Sequence, residues 1–241
     1  MPRKPRQDYA GAVHHIFVRA TARSLVVVDD ADYERALHQL RRAVSRFEFL
    51  CHGWCFLPNH AHMLVTSQQG NISQVMHWLG TCTAQAFNHR HSRSGHLYGG
   101  RFGSRLVESD NYLLELARYL PLNPVRAGLC RSPGDWPWSS YAATVGEAPR
   151  PAFLDPGAFL GMLGSVDQYT TWVAAGIDPA VIQENGAPQR PPRPSLAILL
   201  AEDSDRSIAA AHFRHGYSQA AIARHLGVNP SQVSRRLARR N

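Results

Sequence analysis

The residues best suited to chemistry lie in the stretch Leu57 to Val65, LPNHAHMLV, where two histidines flank a small apolar residue. Imidazole is the commonest metal-ligating side chain and the one that titrates closest to neutral pH. Alternate residues of a strand face the same way, so His60 and His62 would present two rings side by side from a rigid element. The chain holds 13 histidines, enough for such a spacing to arise about once by chance, so the context has to decide. A second instance, His89-Arg90-His91, sits in the polar stretch NHRHSRSGH with no apolar period. Two histidines hold a divalent ion poorly, so a third ligand is needed. No Asp or Glu occurs between Phe49 and Val107, while Arg90, Arg93, Arg101 and Arg105 do. A surface cleared of carboxylates around a histidine pair suits a polyanionic substrate.

The nearest further candidates lie on the helix predicted for SDNYLLELARYLPLNP. Leu113, Leu116, Ala117 and Leu120 form its apolar stripe. Tyr112, Glu115, Tyr119 and Asn123 fall on the adjoining polar face at spacings of three and four. That face offers a phenol, which can serve as a covalent nucleophile, and an amide or a carboxylate to complete a metal site. Pro121 lacks an amide donor and Pro124 disfavours helical geometry at Asn123, so the helix is expected to kink or stop near Leu120.

Hydrophobic spacing predicts the elements that position these groups. Val13 to Arg19 reads as a strand, and a helix follows with Tyr33, Leu37, Leu40, Val44 and Phe47 on one face, opened by aspartates. Phe49 to Leu57 and His60 to Thr66 read as two strands turned at Pro58-Asn59. A helix over Asn71 to His91 and a strand over Tyr98 to Val107 complete the set. Strand, helix, two strands, helix, strand predicts an α+β fold, an antiparallel sheet with helices packed on one face.

Composition limits the remaining possibilities. A chain of 241 residues with 44% hydrophobic content can form one full core and a small second module. It lacks an 18-residue apolar run and an apolar signal core, and its four cysteines form no C-x-x-C pair, which suits a reducing cytoplasm. The segment from Arg206 to Asn241 carries seven arginines and no acid, a charge of +7, whereas the preceding residues sum to +1. GAPQRPPRP, from Gly186 to Pro194, reads as a stiff linker. Beyond it, Ser218 and Asn229 are plausible caps, Gly227 a helix break and Pro230 a first helical residue. This spacing resembles a helix-turn-helix, with Ser231, Gln232, Arg235 and Arg236 facing bases and Arg239 and Arg240 facing phosphates. The expected domains are 1–142 catalytic, 143–185 a helical extension, 186–195 the linker and 196–241 DNA-binding.

Taken together, His60-Ala61-His62, RYLPLNPVRAGL and DWPWSSY resemble the REP-associated tyrosine transposases, a branch of the single-tyrosine HUH transposases. The likeness extends over roughly residues 1–175 and includes the N-terminal PRKPR and the stretch GRFGSRLV. It implies a ferredoxin-like domain in which His60 and His62 bind Mg²⁺ or Mn²⁺, Tyr119 is the nucleophile and Asn123 completes the metal site. Glu115 is the alternative third ligand. The implied substrate is single-stranded DNA with short hairpins of repetitive palindromic elements, contacted by Arg3, Lys4, Arg6, Arg101 and Arg105. A cytoplasmic, nucleoid-associated protein able to form a homodimer is expected, with no membrane partner. Two other readings remain at this point: a DNA-binding regulator with an inactive nuclease domain, and a structural zinc site of Cys51, Cys55, His60 and His62.

Overall fold

The computed structural model describes residues 7–21, 25–177, 196–209, 211–212, 217 and 219–238. The elements run β1 (Ala12–Arg19), α1 (Asp30–Phe47), β2 (Leu50–Phe56), β3 (His60–Ser67), α2 (Ile72–Arg90) and β4 (Gly103–Leu106). These four strands pair antiparallel in the spatial order β2-β3-β1-β4. This is the antiparallel α+β arrangement that the element order predicts, with the ferredoxin-like strand order that the resemblance implies. The last strand is shorter than expected: Tyr98 makes only an isolated bridge to Ala20. Gly99 and Gly100 follow, and glycine weakens extended pairing because it has more backbone freedom to lose.

Local chemistry sets the helix starts. Asp29 caps α1 by accepting from the Asp32 amide. Asn71 gives α2 no side-chain cap; instead Asp8 Oδ2 accepts from the Ile72 amide at 2.7 Å. The other oxygen of Asp8 meets His14 Nε2 at 3.0 Å, tying the start of β1 to α2. Ile16, Met63 and Val65 pack with Leu40, Ala43 and Val75 in one core beneath α1 and α2.

The opposite face of the sheet is covered by α3 (Asp110–Arg126), with α4 (Tyr141–Val145), α5 (Gly157–Leu163) and α6 (Val166–Ala174) behind it. Leu64 packs there with Leu113, Leu116 and Leu120. Strand β3 is therefore buried on both sides, which explains its unbroken apolar run. The expected interruption near Leu120 does not occur, and α3 continues through both prolines to Arg126. Pro121 has no N–H for the Ala117 carbonyl, four residues earlier. That carbonyl accepts instead from the Tyr169 hydroxyl of α6 at 2.9 Å.

The DWPWSSY stretch closes the outer edge of β2, which would otherwise present unpaired backbone groups. Phe56 N donates to Trp138 O at 3.0 Å, Trp136 Nε1 to Phe56 O at 3.0 Å, and Ser140 N to Trp54 O at 3.0 Å.

Past residue 195, α7 (Leu196–Leu199), α8 (Asp205–Ala209), α9 (Gln219–Leu226) and α10 (Pro230–Ala238) share their own apolar cluster, centred on Ile208, Ile222 and Val233. Gly227 has φ 66°, the left-handed conformation suited to a turn between α9 and α10. Asn229 Oδ1 accepts from Ser231 N at 3.0 Å, the cap anticipated before Pro230. The proline linker and Ser218 lie outside the described residues.

Candidate active site

Strand register assembles the site. Phe17 pairs with His62, Arg19 with His60 and His15 with Leu64. Opposed residues of paired strands share a face, so His15, Phe17 and Arg19 join the two histidines on the side covered by α3. The leucine stripe of α3 seats the helix on Leu64 and brings Tyr119 over the histidines. Its ring stands perpendicular to His62 with centroids 5.4 Å apart, and edge-on to His15 at 6.1 Å. A cleft of about 460 Å³ opens there, bordered by His15, His62, Tyr119, Arg19, Arg105 and Arg126 among others. Gly103 makes room for the Phe17 ring at its border. A Cβ at Gly103 would fall 2.1 Å from the Phe17 ring, so Phe17 lies across the glycine opposite it in β4. This accounts for the second glycine of GRFGSRLV.

Hydrogen bonds orient both histidines of the motif. His60 Nδ1 faces Asn59 Oδ1 at 2.6 Å, and His62 Nδ1 faces His15 Nε2 at 3.0 Å. Burial pushes the His62 pKa down to about 3, with His15, His60 and Arg19 adding to the effect. Burial and then Arg105 push His15 down to about 4. His60 is lowered too, by burial and Arg19. All three rings are therefore neutral at pH 7, the state that ligates metal. The contribution of His15 was not foreseen in the sequence. Its only signal is its alternation with Phe17 and Arg19, which gains meaning once β1 is known to pair with β3.

Residues 9–121 match the family model described as IS200-like transposase. The matched segment contains all four strands, α1 and α2, and α3 as far as Pro121, so it includes His60, His62 and Tyr119 and ends before Asn123. The fold also resembles a solved structure described as a REP-associated tyrosine transposase bound to a REP hairpin. That likeness has a TM-score of 0.55 at 18% identity and spans 64% of this chain and 92% of the other. A comparison with curated proteins finds no match.

Both third-ligand candidates make hydrogen bonds of their own. Asn123 is buried and its Nδ2 donates to the Tyr119 carbonyl at 2.7 Å. Glu115 borders the cleft but accepts from Arg118 through both oxygens, at 2.7 and 2.9 Å. Arg118 in turn lies over the Trp172 ring at 4.2 Å. Among the described residues no three His, Cys, Asp or Glu side chains are grouped to hold one metal ion. That removes the cluster required by the zinc reading. Burial also raises the Cys51 thiol to about 12 and Cys55 above the usual thiol range. Two neutral imidazoles with Nδ1 engaged, and with no partner for Nε2 among the described residues, do fit a divalent ion whose remaining ligands are oxygens.

The basic residues divide into groups. Arg19 and Arg105 flank the cleft, and the Arg126 guanidinium lies 5.8 Å from the Tyr119 ring centroid. Arg19 and Arg126 were not singled out in the sequence. Arg101 is exposed and does not line the cleft. Arg90 pairs with Asp29 and Asp32 at 2.7 and 2.6 Å, so the acid-free run in sequence is not acid-free in space. Arg3, Lys4 and Arg6 lie outside the described residues, as do Arg239 and Arg240. In α10, Ser231, Gln232 and Arg235 are exposed. Arg236 instead binds Asp203 and Asp205 within its own module, both at 2.6 Å.

Proposed function

We propose that the protein is a DNA transposase that cuts and rejoins single-stranded hairpin DNA through a covalent bond to Tyr119. The observation that carries this reading is the Tyr119 ring, 5.4 Å from His62, in a cleft flanked by Arg19, Arg105 and Arg126. The arginines meet the charge of a phosphodiester entering the cleft. Tyr119 Oη attacks phosphorus, losing its proton, and the bond from phosphorus to the 3′ oxygen breaks. The new Oη–P bond is a 5′-phosphotyrosine, and the 3′ oxygen takes up a proton to leave as a hydroxyl. Mg²⁺ or Mn²⁺ on His60 and His62, with Asn123 or Glu115 as the third protein ligand, would withdraw charge from the phosphate and align the ester. Because the phosphoester energy is retained, a 3′-hydroxyl can reverse the step and join strands without ATP. One tyrosine supports one covalent intermediate at a time, so strand exchange takes a second subunit or successive rounds. The C-terminal module, read as a helix-turn-helix, holds DNA through Ser231, Gln232 and Arg235. The reading places the protein with its substrate in the cytoplasm.

A labelled hairpin with a single-stranded flank tests this. Wild type with Mn²⁺ should give a protein–DNA adduct that survives denaturation. Tyr119→Phe should bind the hairpin equally and give none. An adduct with Tyr119→Phe would move the role to Tyr112, which also borders the cleft. Hairpin binding by wild type without any adduct would leave the DNA-binding regulator as the better reading.

A further inference from the structure

We propose that His15 is a positioning residue: it holds the His62 ring by Nδ1 and accepts its N–H when His62 Nε2 binds a divalent ion. This rests on the metal role given to His62 above. His15 stacks on His62 with centroids 5.2 Å apart and rings inclined by 27°, and Nε2 and Nδ1 are separated by 3.0 Å. Between two neutral imidazoles that contact holds one proton. On His15 Nε2, the proton makes His62 the Nε2–H tautomer, whose Nε2 has no free lone pair. On His62 Nδ1, it leaves Nε2 bare and the ring fixed.

A ligating imidazole ordinarily donates its second nitrogen to a neighbouring acceptor, which sets both its tautomer and its orientation. His60 follows that rule with Asn59 Oδ1. His62 has no carboxylate or carbonyl at Nδ1 among the described residues; its partner is His15. The other nitrogen of His15 supports a functional origin. His15 is 7% exposed, and its Nδ1 is buried without a hydrogen-bond partner among the described residues. A phenylalanine could fill the same slot beside Phe17 without leaving a polar atom unpaired, and unpaired buried polar atoms are rare unless the group has a use. A histidine at that site is explained by the bond that it makes to His62.

Two measurements on the full chain test this. Histidine-selective ¹⁵N NMR at pH 7.5, with the His62 signals identified by their loss in His62→Gln, should show the Nδ1–H tautomer at His62 with Mg²⁺ present. The Nε2–H tautomer under those conditions would overturn the proposal, and this measurement requires no His15 variant to fold. Titration with Mn²⁺ alone, without DNA, should show His15→Phe binding about 10–100-fold more weakly than wild type. His15→Gln, whose amide oxygen can accept the same bond, should recover most of that affinity. Equal Mn²⁺ affinity in His15→Phe and wild type would overturn the role of His15 and leave the metal site intact. Absence of Mn²⁺ binding by wild type would overturn both the metal reading and this inference.

Discussion

Tyr169→Phe is predicted to destabilise the protein because it removes the donor that allows Pro121 to sit inside α3. The Ala117 carbonyl accepts from the Tyr169 hydroxyl at 2.9 Å, and Ala117 and Tyr169 are 3% and 2% exposed. Water cannot readily replace the hydroxyl there. Leaving a buried carbonyl unpaired costs about 1–3 kcal/mol. In a domain of this size each kcal/mol corresponds to about 2–4 °C of melting temperature. The phenylalanine ring retains the packing against Phe159 and Tyr141, so the loss reports the hydrogen bond and not a cavity. Pro121→Ala isolates the cause, because it restores an amide that can bond Ala117 within the helix. Urea denaturation of wild type, both single variants and the double variant should give a coupling of about 1 kcal/mol or more. Tyr169→Phe should then cost much less in the Pro121→Ala background than in the chain that keeps the proline. Equal costs in the two backgrounds would refute the reasoning, and the hydroxyl would be stabilising the fold through some other contact.

EDTA, His60→Ala or His62→Ala should each abolish cleavage with little loss of fold; undiminished cleavage in EDTA would rule out a catalytic metal. Asn123→Ala and Glu115→Ala, compared for Mn²⁺ affinity, identify the third ligand, and Asn123→Ala is expected to have the larger effect. Stability should fall as pH drops from about 6.5 toward 4. In that window unfolded histidines gain protons that His15 and His62, held down at about 4 and about 3, refuse. Stability therefore rises with pH there, by up to about 1.4 kcal/mol per pH unit for each excess proton taken up by the unfolded state. Asp32, lowered from its ordinary value by His91 and Arg90 against the opposing effect of its burial, loses its contribution only below this window. A urea midpoint unchanged between pH 7.5 and 5 would contradict the assignment. A protein ending before Gly186 should still cut a short hairpin at saturating concentration. Its affinity for longer or duplex DNA should fall at least about tenfold, or about 1.4 kcal/mol, with a flatter salt dependence. Equal affinity and salt slope would mean that the arginine-rich end does not hold DNA.

The elements of this fold were legible in the residues because each rests on local signals. An unbroken apolar run marked β3, spacings of three and four marked α1 and α3, and Asp29, Asn229 and Gly227 marked ends through backbone groups within a few residues of themselves. The motif histidines and the tyrosine were legible for the same reason, since side-chain type and spacing along one element suffice to nominate them. Which of them meet depended on contacts between residues far apart in the chain. Only the pairing of β1 with β3 puts His15 against His62, 47 positions away, and only the docking of α3 on Leu64 puts Tyr119 over both. The same holds for the error at Leu120. Proline removes a donor locally, but the hydroxyl that replaces it comes from Tyr169, 52 residues beyond Ala117. No local pattern encodes such a partner, because the free energy that selects it comes from burying two helices and a sheet together.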